Sequence, residues 1–348
     1  MNQPTTFPDS TAAGAANPSK SAASAGAGRP VAIDPDGGPP ACPAPLPAAG
    51  APTFTVPAGA CDCHAHVFGG PPRYPYREPR RYTPAADTGV EQYAQVLRAL
   101  GLTRAVLVQP TLYHDNSLTL DGMRELEQAG IEARGVALAN ARTSDATLAG
   151  MHDAGIRGVR AHLRGAAEGR PGDDIPLAER LQTLDRLAER IAPLGWHLQL
   201  HVAGAELPRL ADWIGKLPIP VVLDHFARVR LSAGSEDASG RTLLDLLKSA
   251  NCWLKLSAPN RFDDPLPPYP SLAPFARQLV EAAPGRMLWG SDWPHSSFQG
   301  TMPSDAALLD ALALWAPEAA TRRRILVDNP AKLYGFSPSP TKTKREAP

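Results

Sequence analysis

The chain has 348 residues with 43% hydrophobic side chains, enough for one large α/β domain or two ordinary ones around a sizeable core. Lys plus Arg and Asp plus Glu stand at 35 each, so no global field draws the chain to nucleic acid or to an anionic membrane. Cys42, Cys61, Cys63 and Cys252 match neither a disulfide framework nor a cysteine-only zinc site. With no basic-then-apolar leader and no apolar run of membrane length, the expectation is a cytoplasmic protein without a membrane partner.

Residues 1–58 are rich in Ala, Pro, Gly and Ser and poor in large apolar side chains, so they are expected to form a disordered extension. Residues 337–348 read the same way. The body between, 59–336, is close to the size of a (β/α)₈ barrel. Its first expected strand, over 60–66, carries Cys61-Asp62-Cys63-His64-Ala65-His66. Side chains on a strand repeat every two residues, so His64 and His66 point to one side and form a two-imidazole clamp suited to zinc, with Cys61 and Cys63 directed away into packing. A helix around Val90, Tyr93, Val96, Leu97 and Leu100 stops at Gly101 and precedes a second strand over 105–108. Helices near 120–129 and 146–154 lead to strands over 135–138 and 158–162.

The clearest amphipathic stripe is Leu177, Leu181, Leu184, Leu187 and Ile191, followed by Gly195 and a fifth strand over 196–202. Helices near 206–214, 243–249 and 272–283 precede strands over 221–225, 253–257 and 287–292. Two helical stretches, near 305–315 and 318–327, close the body. Eight strands alternating with helices favour a single-domain parallel (β/α)₈ TIM barrel over an open sheet. No glycine-rich phosphate loop follows the first strand.

In such a barrel the C-terminal ends of the strands converge on one mouth. The first strand brings His64 and His66 there, the fifth His201, the sixth His225 and the eighth Asp292. Three of these four imidazoles and the carboxylate would hold one divalent metal with a position left open for water. The remaining imidazole could polarise a carbonyl, and the carboxylate could move a proton.

The chain resembles the amidohydrolase superfamily, in the branch containing 2-pyrone-4,6-dicarboxylate lactonases. The resemblance rests on Asp62-Cys63-His64-Ala65-His66-Val67-Phe68-Gly69, Arg81-Tyr82-Thr83-Pro84, Val108-Gln109-Pro110, Gly155-Ile156-Arg157-Gly158-Val159-Arg160, Asp224-His225, Trp289-Gly290-Ser291-Asp292-Trp293-Pro294-His295 and Asn329-Pro330-Ala331-Lys332-Leu333-Tyr334. It implies Asp292 as general base, with His64, His66 and His225 around the lactone carbonyl. It further implies that Arg160, Arg261, Tyr82 and Thr111 hold the carboxylates of a small anionic substrate. His162, two residues beyond Arg160, is expected at the mouth as well.

Two departures mark this sequence. The pyrone lactonases work without metal and carry a tyrosine where this chain has His201; the resemblance to the superfamily's mononuclear zinc members then implies His64, His66, His201 and Asp292 as ligands of one bound divalent metal, zinc. A further arginine of that branch is replaced by Ala166, with Arg164 the nearest substitute, and the loop over 109–116 is one residue shorter. The anionic groups of the substrate are therefore expected in a different arrangement. The expectation is a hydrolase opening the lactone ring of a small di- or tricarboxylate. The alternatives are a metal-dependent decarboxylase of the same superfamily, acting on a small unsaturated acid, and a non-catalytic acid-binding barrel.

Overall fold

The computed structural model describes residues 39–48, 50–163, 175–249, 251–262 and 266–337. Its strands are β1 (Cys61–Ala65), β2 (Arg104–Val108), β3 (Glu132–Ala137), β4 (Ile156–Leu163), β5 (His197–Val202), β6 (Val221–Leu223), β7 (Cys252–Ser257) and β8 (Met287–Gly290). They pair in sequence order, each parallel to the next. Just beyond β8 the circle closes onto β1: the Asp292 amide donates to the His64 carbonyl at 2.9 Å and the His66 amide to the Trp293 carbonyl at 2.8 Å. The expected (β/α)₈ barrel is the observed fold.

The helices between strands are α1 (Val90–Leu100), α2 (Ser117–Gln128), α3 (Asp145–Asp153), α4 (Leu177–Ile191), α5 (Leu207–Lys216), α6 (Ala238–Lys248) and α7 (Ala273–Ala282). After β8 come α8 (Asp305–Trp315), α9 (Ala319–Arg323) and α10 (Asn329–Tyr334). In α1 the residues Tyr93, Ala94, Val96, Leu97 and Leu100 are buried, one stripe of a 3.6-residue period. Gly101 ends it in the left-handed region at φ 70°, where its amide reaches back to the carbonyls of Arg98 and Leu97. Helix α6 begins five residues before its apolar stripe, because the Asp237 side chain accepts from the Ser239 amide and caps it. Among the described residues no helix is long and apolar enough to cross a membrane.

Strand alternation sorts the core into two clusters. On β5, Leu198, Leu200 and Val202 join the large layer between barrel and helices, while His197, Gln199 and His201 occupy the opposite face. A second cluster joins Cys61, Cys63, Val106, Val108, Val136, Val222, Trp253 and Leu288 to Leu333, Tyr334 and Phe336. Those last three residues belong to α10 and the turn after it, which plug one end of the barrel.

Residues 1–38 and 338–348, most of the two expected tails, lie outside the described residues, whereas residues 39–42 are described. The Cys42 amide donates to the Thr83 carbonyl and the Thr83 amide to the Pro40 carbonyl, both at 2.8 Å. The Ser297 amide donates to Cys42 Sγ at 3.1 Å. Composition alone put the start of the body at 59. Backbone pairing and one buried cysteine, neither visible as an apolar run, bring packing forward to residues 39–42.

Candidate active site

The site starts from an irregularity in β1. Its register against β2 shifts between Asp62 and Ala65, and such a bulge re-aims side chains along a strand. Asp62 is buried outside the barrel, accepting from Tyr93 Oη on α1 at 3.0 Å, from the Ser291 amide at 3.0 Å and from Ser291 Oγ at 2.5 Å. The bulge also corrects the expectation for the cysteines. Cys61 and Cys63 do pack, but within the same interior cluster as Val106 and Val108, because the shift lets both Cys63 and His64 turn inward. Opposite His64 stands Gly290: a Cβ there would lie 2.7 Å from His64 Cβ and 2.9 Å from its amide nitrogen, so only glycine permits this approach.

His64 and His66 bring their Nε2 atoms within 3.4 Å of each other. His66 Nδ1 lies 2.7 Å from the Val108 carbonyl, which only accepts, so the ring proton is on Nδ1 and Nε2 carries a lone pair. Asp292 Oδ1 is 3.8 Å from His64 Nε2 and 3.8 Å from His225 Nε2. Its other oxygen accepts from Arg261 Nε at 2.9 Å, and Arg261 also donates to the Ser296 carbonyl. His225 Nδ1 meets Ser257 Oγ at 2.8 Å. Asp292 at φ 64° and His225 at φ 52° both lie in the left-handed region. Non-glycine residues held there cluster at functional sites.

Beneath this face lies a buried polar layer. Asp224 Oδ2 accepts from Arg160 Nε at 2.9 Å and from Gln199 Nε2 at 3.2 Å, and Oδ1 is 3.2 Å from His64 Nδ1. Lys255, fully buried on β7, donates to Gln199 Oε1 at 2.7 Å and lies 3.3 Å from His64 Nδ1. Burial lowers His64 and His201 well below the usual imidazole range, and His66 and His225 to about 4. All four rings are therefore neutral at pH 7. For Asp292, burial alone would raise the pKa, but the Arg261 guanidinium, with His225, His64 and His66, holds it well below the usual carboxylate range. In Asp224 burial is likewise overcome, chiefly by Arg160 and His64.

The donor set fits a divalent cation. Ligand atoms of His64, His66 and Asp292 all lie within 4.8 Å of one another. Two imidazoles on one tetrahedral zinc, each at about 2.05 Å, stand about 3.4 Å apart, which is the His64–His66 separation. Asp224 Oδ1 is a buried acceptor without a hydrogen-bond partner among the described residues. It stands where it would receive an Nδ1 proton from a His64 whose Nε2 ligates a cation.

The other expected site residues divide. His201 stands next to His225, ring centroids 5.3 Å apart, but its Nδ1 is 3.3 Å from the Arg160 guanidinium, and it lies outside the donor cluster of His64, His66 and Asp292. Arg160, expected to clamp substrate, is turned to a buried acid on the next strands and to that imidazole. His162 is paired in register with His201 and half-buried, its ring 5.3 Å from that of His201. Tyr82 is half-buried at the rim near Phe68, its phenol pKa raised mainly by burial. Thr111 is exposed beyond β2. Arg164 and Ala166 lie outside the described residues. His295 bonds Asp305 at the start of α8, which makes it a support for the loop after β8.

Sequence reasoning missed Lys255, Gln199 and Ser257. Lys255 is a charged residue in the middle of the apolar run Cys252–Ser257. That interruption was the available signal, since a buried lysine is rare unless paired.

Comparison with known proteins agrees with the geometry. An amidohydrolase family model matches residues 61–336. A 2-pyrone-4,6-dicarboxylate hydrolase of Comamonas testosteroni is 37% identical over 294 residues, covering 81% of this chain and 92% of that protein. A 4-sulfomuconolactone hydrolase of Hydrogenophaga intermedia is 37% identical over 288 residues, covering 81% and 90%. The crystal structure of a probable 2-pyrone-4,6-dicarboxylic acid hydrolase from Acinetobacter baumannii, with citric acid bound, matches with a TM-score of 0.66 at 26% identity, covering 80% of this chain and 100% of that one.

Proposed function

We propose that this chain, which belongs to the amidohydrolase family, opens the ring of a small anionic lactone by adding water. It is a hydrolase; the relatives named above act on lactones, which favours hydrolysis over decarboxylation. The observation that carries the reading is the convergence of His64, His66, His225 and Asp292 on one face, with Arg261 beside them.

Asp292 is held ionised, so it accepts a proton from water as the oxygen attacks the lactone carbonyl carbon. Being a weak base, it readily gives that proton to the ring oxygen when the carbon–oxygen bond breaks. We assign the hydrogen of the Ser257–His225 contact to the serine hydroxyl, which would leave the ring proton of His225 on Nε2, facing the mouth. From there it donates to the carbonyl oxygen as negative charge builds up. Arg261 and Tyr82 flank the mouth and suit the carboxylates of a di- or tricarboxylate substrate, Arg261 through the guanidinium N–H groups not committed to Asp292 and Ser296. We assign Thr111, His162 and Arg164 to the same binding role, and Arg160 to it only through the guanidinium N–H groups not committed to Asp224 and His201.

His64, His66 and Asp292 would hold one divalent metal, zinc by the chemistry of two imidazoles and a carboxylate. His225, with its Nε2 3.8 Å from Asp292 Oδ1, stands beside them, and His201, the further ligand expected from the sequence, would have to turn from Arg160 to join. When bound, the ion supplies Lewis acidity to the carbonyl or to the attacking water. The test offers purified protein 2-pyrone-4,6-dicarboxylate, 4-sulfomuconolactone and tricarboxylate lactones, and follows ring opening before and after chelation, with metal analysis. Ring opening that falls on chelation and returns with zinc is expected. No opening of any anionic lactone would refute the reading, and full activity in metal-free protein would refute the metal assignment.

A further inference from the structure

His64 Nδ1 faces two groups of opposite character at nearly equal distance. Asp224 Oδ1, which only accepts, is 3.2 Å away, and Lys255 Nζ, which only donates, is 3.3 Å away. Around them, Asp224 Oδ2 is taken by Arg160 and Gln199, and one Lys255 hydrogen by Gln199 Oε1. Lys255 Nζ also stands 3.8 Å from Asp224 Oδ1, so the two charges pair with each other as well as facing His64. On the other side of the ring, His64 Nε2 faces His66 Nε2 at 3.4 Å, and His66 has its proton fixed on Nδ1 by the Val108 carbonyl.

Two arrangements satisfy these groups. With the His64 proton on Nδ1, it points at Asp224, and the Nε2 lone pairs of His64 and His66 face each other. That arrangement is repulsive unless a cation lies between them. With the proton on Nε2, His64 donates to His66 Nε2 and accepts at Nδ1 from Lys255. A chain of donors then runs from Lys255 through both imidazoles to the Val108 carbonyl. The Lys255–His64 and His64–His66 contacts both have hydrogen-bond geometry, whereas Asp224 Oδ1 has no hydrogen-bond partner among the described residues.

We propose that Lys255 is a positioning residue which, in competition with Asp224, sets the ring tautomer of His64 and so governs how readily the His64–His66 clamp takes a cation. Exchange between the two forms moves one proton between the nitrogens of a single ring, with no net uptake or release. Lys255 stabilises the form that bridges His64 to His66. Asp224 stabilises the form that offers both lone pairs outward. A buried ammonium costs much to desolvate, so its place here, rather than that of an apolar residue of similar length, calls for such a task. Lys255 stands on the Nδ1 side of the His64 ring and acts through that ring, so it is not itself a catalytic group. The inference rests on the cation-site reading above, and its test separates the two.

The full chain, labelled with ¹⁵N-histidine and treated with chelator, is measured by long-range ¹H–¹⁵N NMR, the His64 signals being identified by their loss in His64→Asn. Wild-type protein is expected to show His64 protonated at Nε2, Lys255→Met to show it at Nδ1, and Lys255→Arg to keep the wild-type pattern. Zn²⁺ titration of the same chelated proteins should show Lys255→Met binding about tenfold more tightly than wild type, the scale on which groups behind a metal ligand act. His64 protonated at Nδ1 in the wild type, an unchanged pattern in Lys255→Met, or an unchanged Zn²⁺ affinity would each overturn the proposal. If Lys255→Met does not fold, the wild-type tautomer and Lys255→Arg still decide it. Failure of wild type to bind Zn²⁺ at all would overturn the cation site instead, while the metal-free signals still judge Lys255.

Discussion

Toward the N-terminal ends of its strands the barrel interior is filled with Cys61, Cys63, Val106, Val136, Val222 and Leu288 and closed by Tyr334 and Phe336. Toward the C-terminal ends the interior instead carries Arg160 of β4, Gln199 and His201 of β5, Asp224 and His225 just after β6 and Lys255 of β7, nearly all buried and tied to one another. Each half also contains a histidine that needs a glycine beside it. In the polar half Gly290 makes room for His64, and in the apolar half Gly158 makes room for His197, whose ring a Cβ would meet at 2.3 Å. The difference teaches how the barrel interior divides labour: its charged groups gather at the end where the reaction is proposed, and the other half supplies the packing that holds the strands in register.

The largest expected effect lies in the polar half. Asp292→Asn keeps the shape but removes the acceptor, and kcat should fall on the order of 10³-fold, with the unfolding midpoint little changed. Wild-type turnover in that variant would sink the assignment of Asp292 as base. The next concerns Gly290→Ala. A methyl group pressed on the His64 Cβ and amide must displace the ring, and a misplacement of this size costs about 10²-fold in kcat/KM. Steady-state kinetics on the folded variant checks it; unaltered kcat/KM would mean that His64 does not depend on this approach.

Gly158→Ala is the matched change in the apolar half. The new Cβ collides with the His197 ring, and overpacking of this kind costs about 1–3 kcal/mol. Chemical denaturation should show that loss, while kcat and KM of the folded protein stay at wild-type values. If activity falls in step with Gly290→Ala, the two halves are not separable as described.

Much of this was legible in the sequence because it depends on repeating local rules. The apolar runs and stripes gave the eight strands and their helices, and the barrel rule brought His64, His66, His225 and Asp292 to one mouth. What escaped depends on side chains meeting across strands. Lys255 and Gln199 are far apart in sequence, and only the shear of the closed barrel sets one against the other. The bulge in β1 puts Cys63 and His64 on the same interior, against strict alternation. His201 was placed correctly at a strand end, yet alternation could not foresee that the neighbouring Arg160 would engage its Nδ1. The 39–42 segment binds the barrel through backbone groups, which composition does not register.

The smallest effect, and the one that isolates the apolar half, is on stability against pH. His197 is fully buried on β5, its ring edge-on to Tyr334 with centroids 5.2 Å apart. Burial, with the Lys255 charge second, lowers its pKa to about 3, against about 6.5 in an unfolded chain. Above 6.5 neither state protonates this ring, so it makes no difference there. Between about 6.5 and about 3 the unfolded state takes up a proton that the folded state refuses, so stability is lost as pH falls through that window. One proton corresponds to about 1.4 kcal/mol per pH unit within the window. His66 and His225 act with the same sign in the polar half, so the informative quantity is a difference between proteins. His197→Phe keeps a ring above Gly158 and removes the titrating group, and its stability should decline with falling pH less steeply than wild type by about that slope. Denaturation midpoints measured at half-unit steps from pH 7 to pH 4 check it. Parallel curves for the two proteins would show that the apolar half holds no titrating strain at His197.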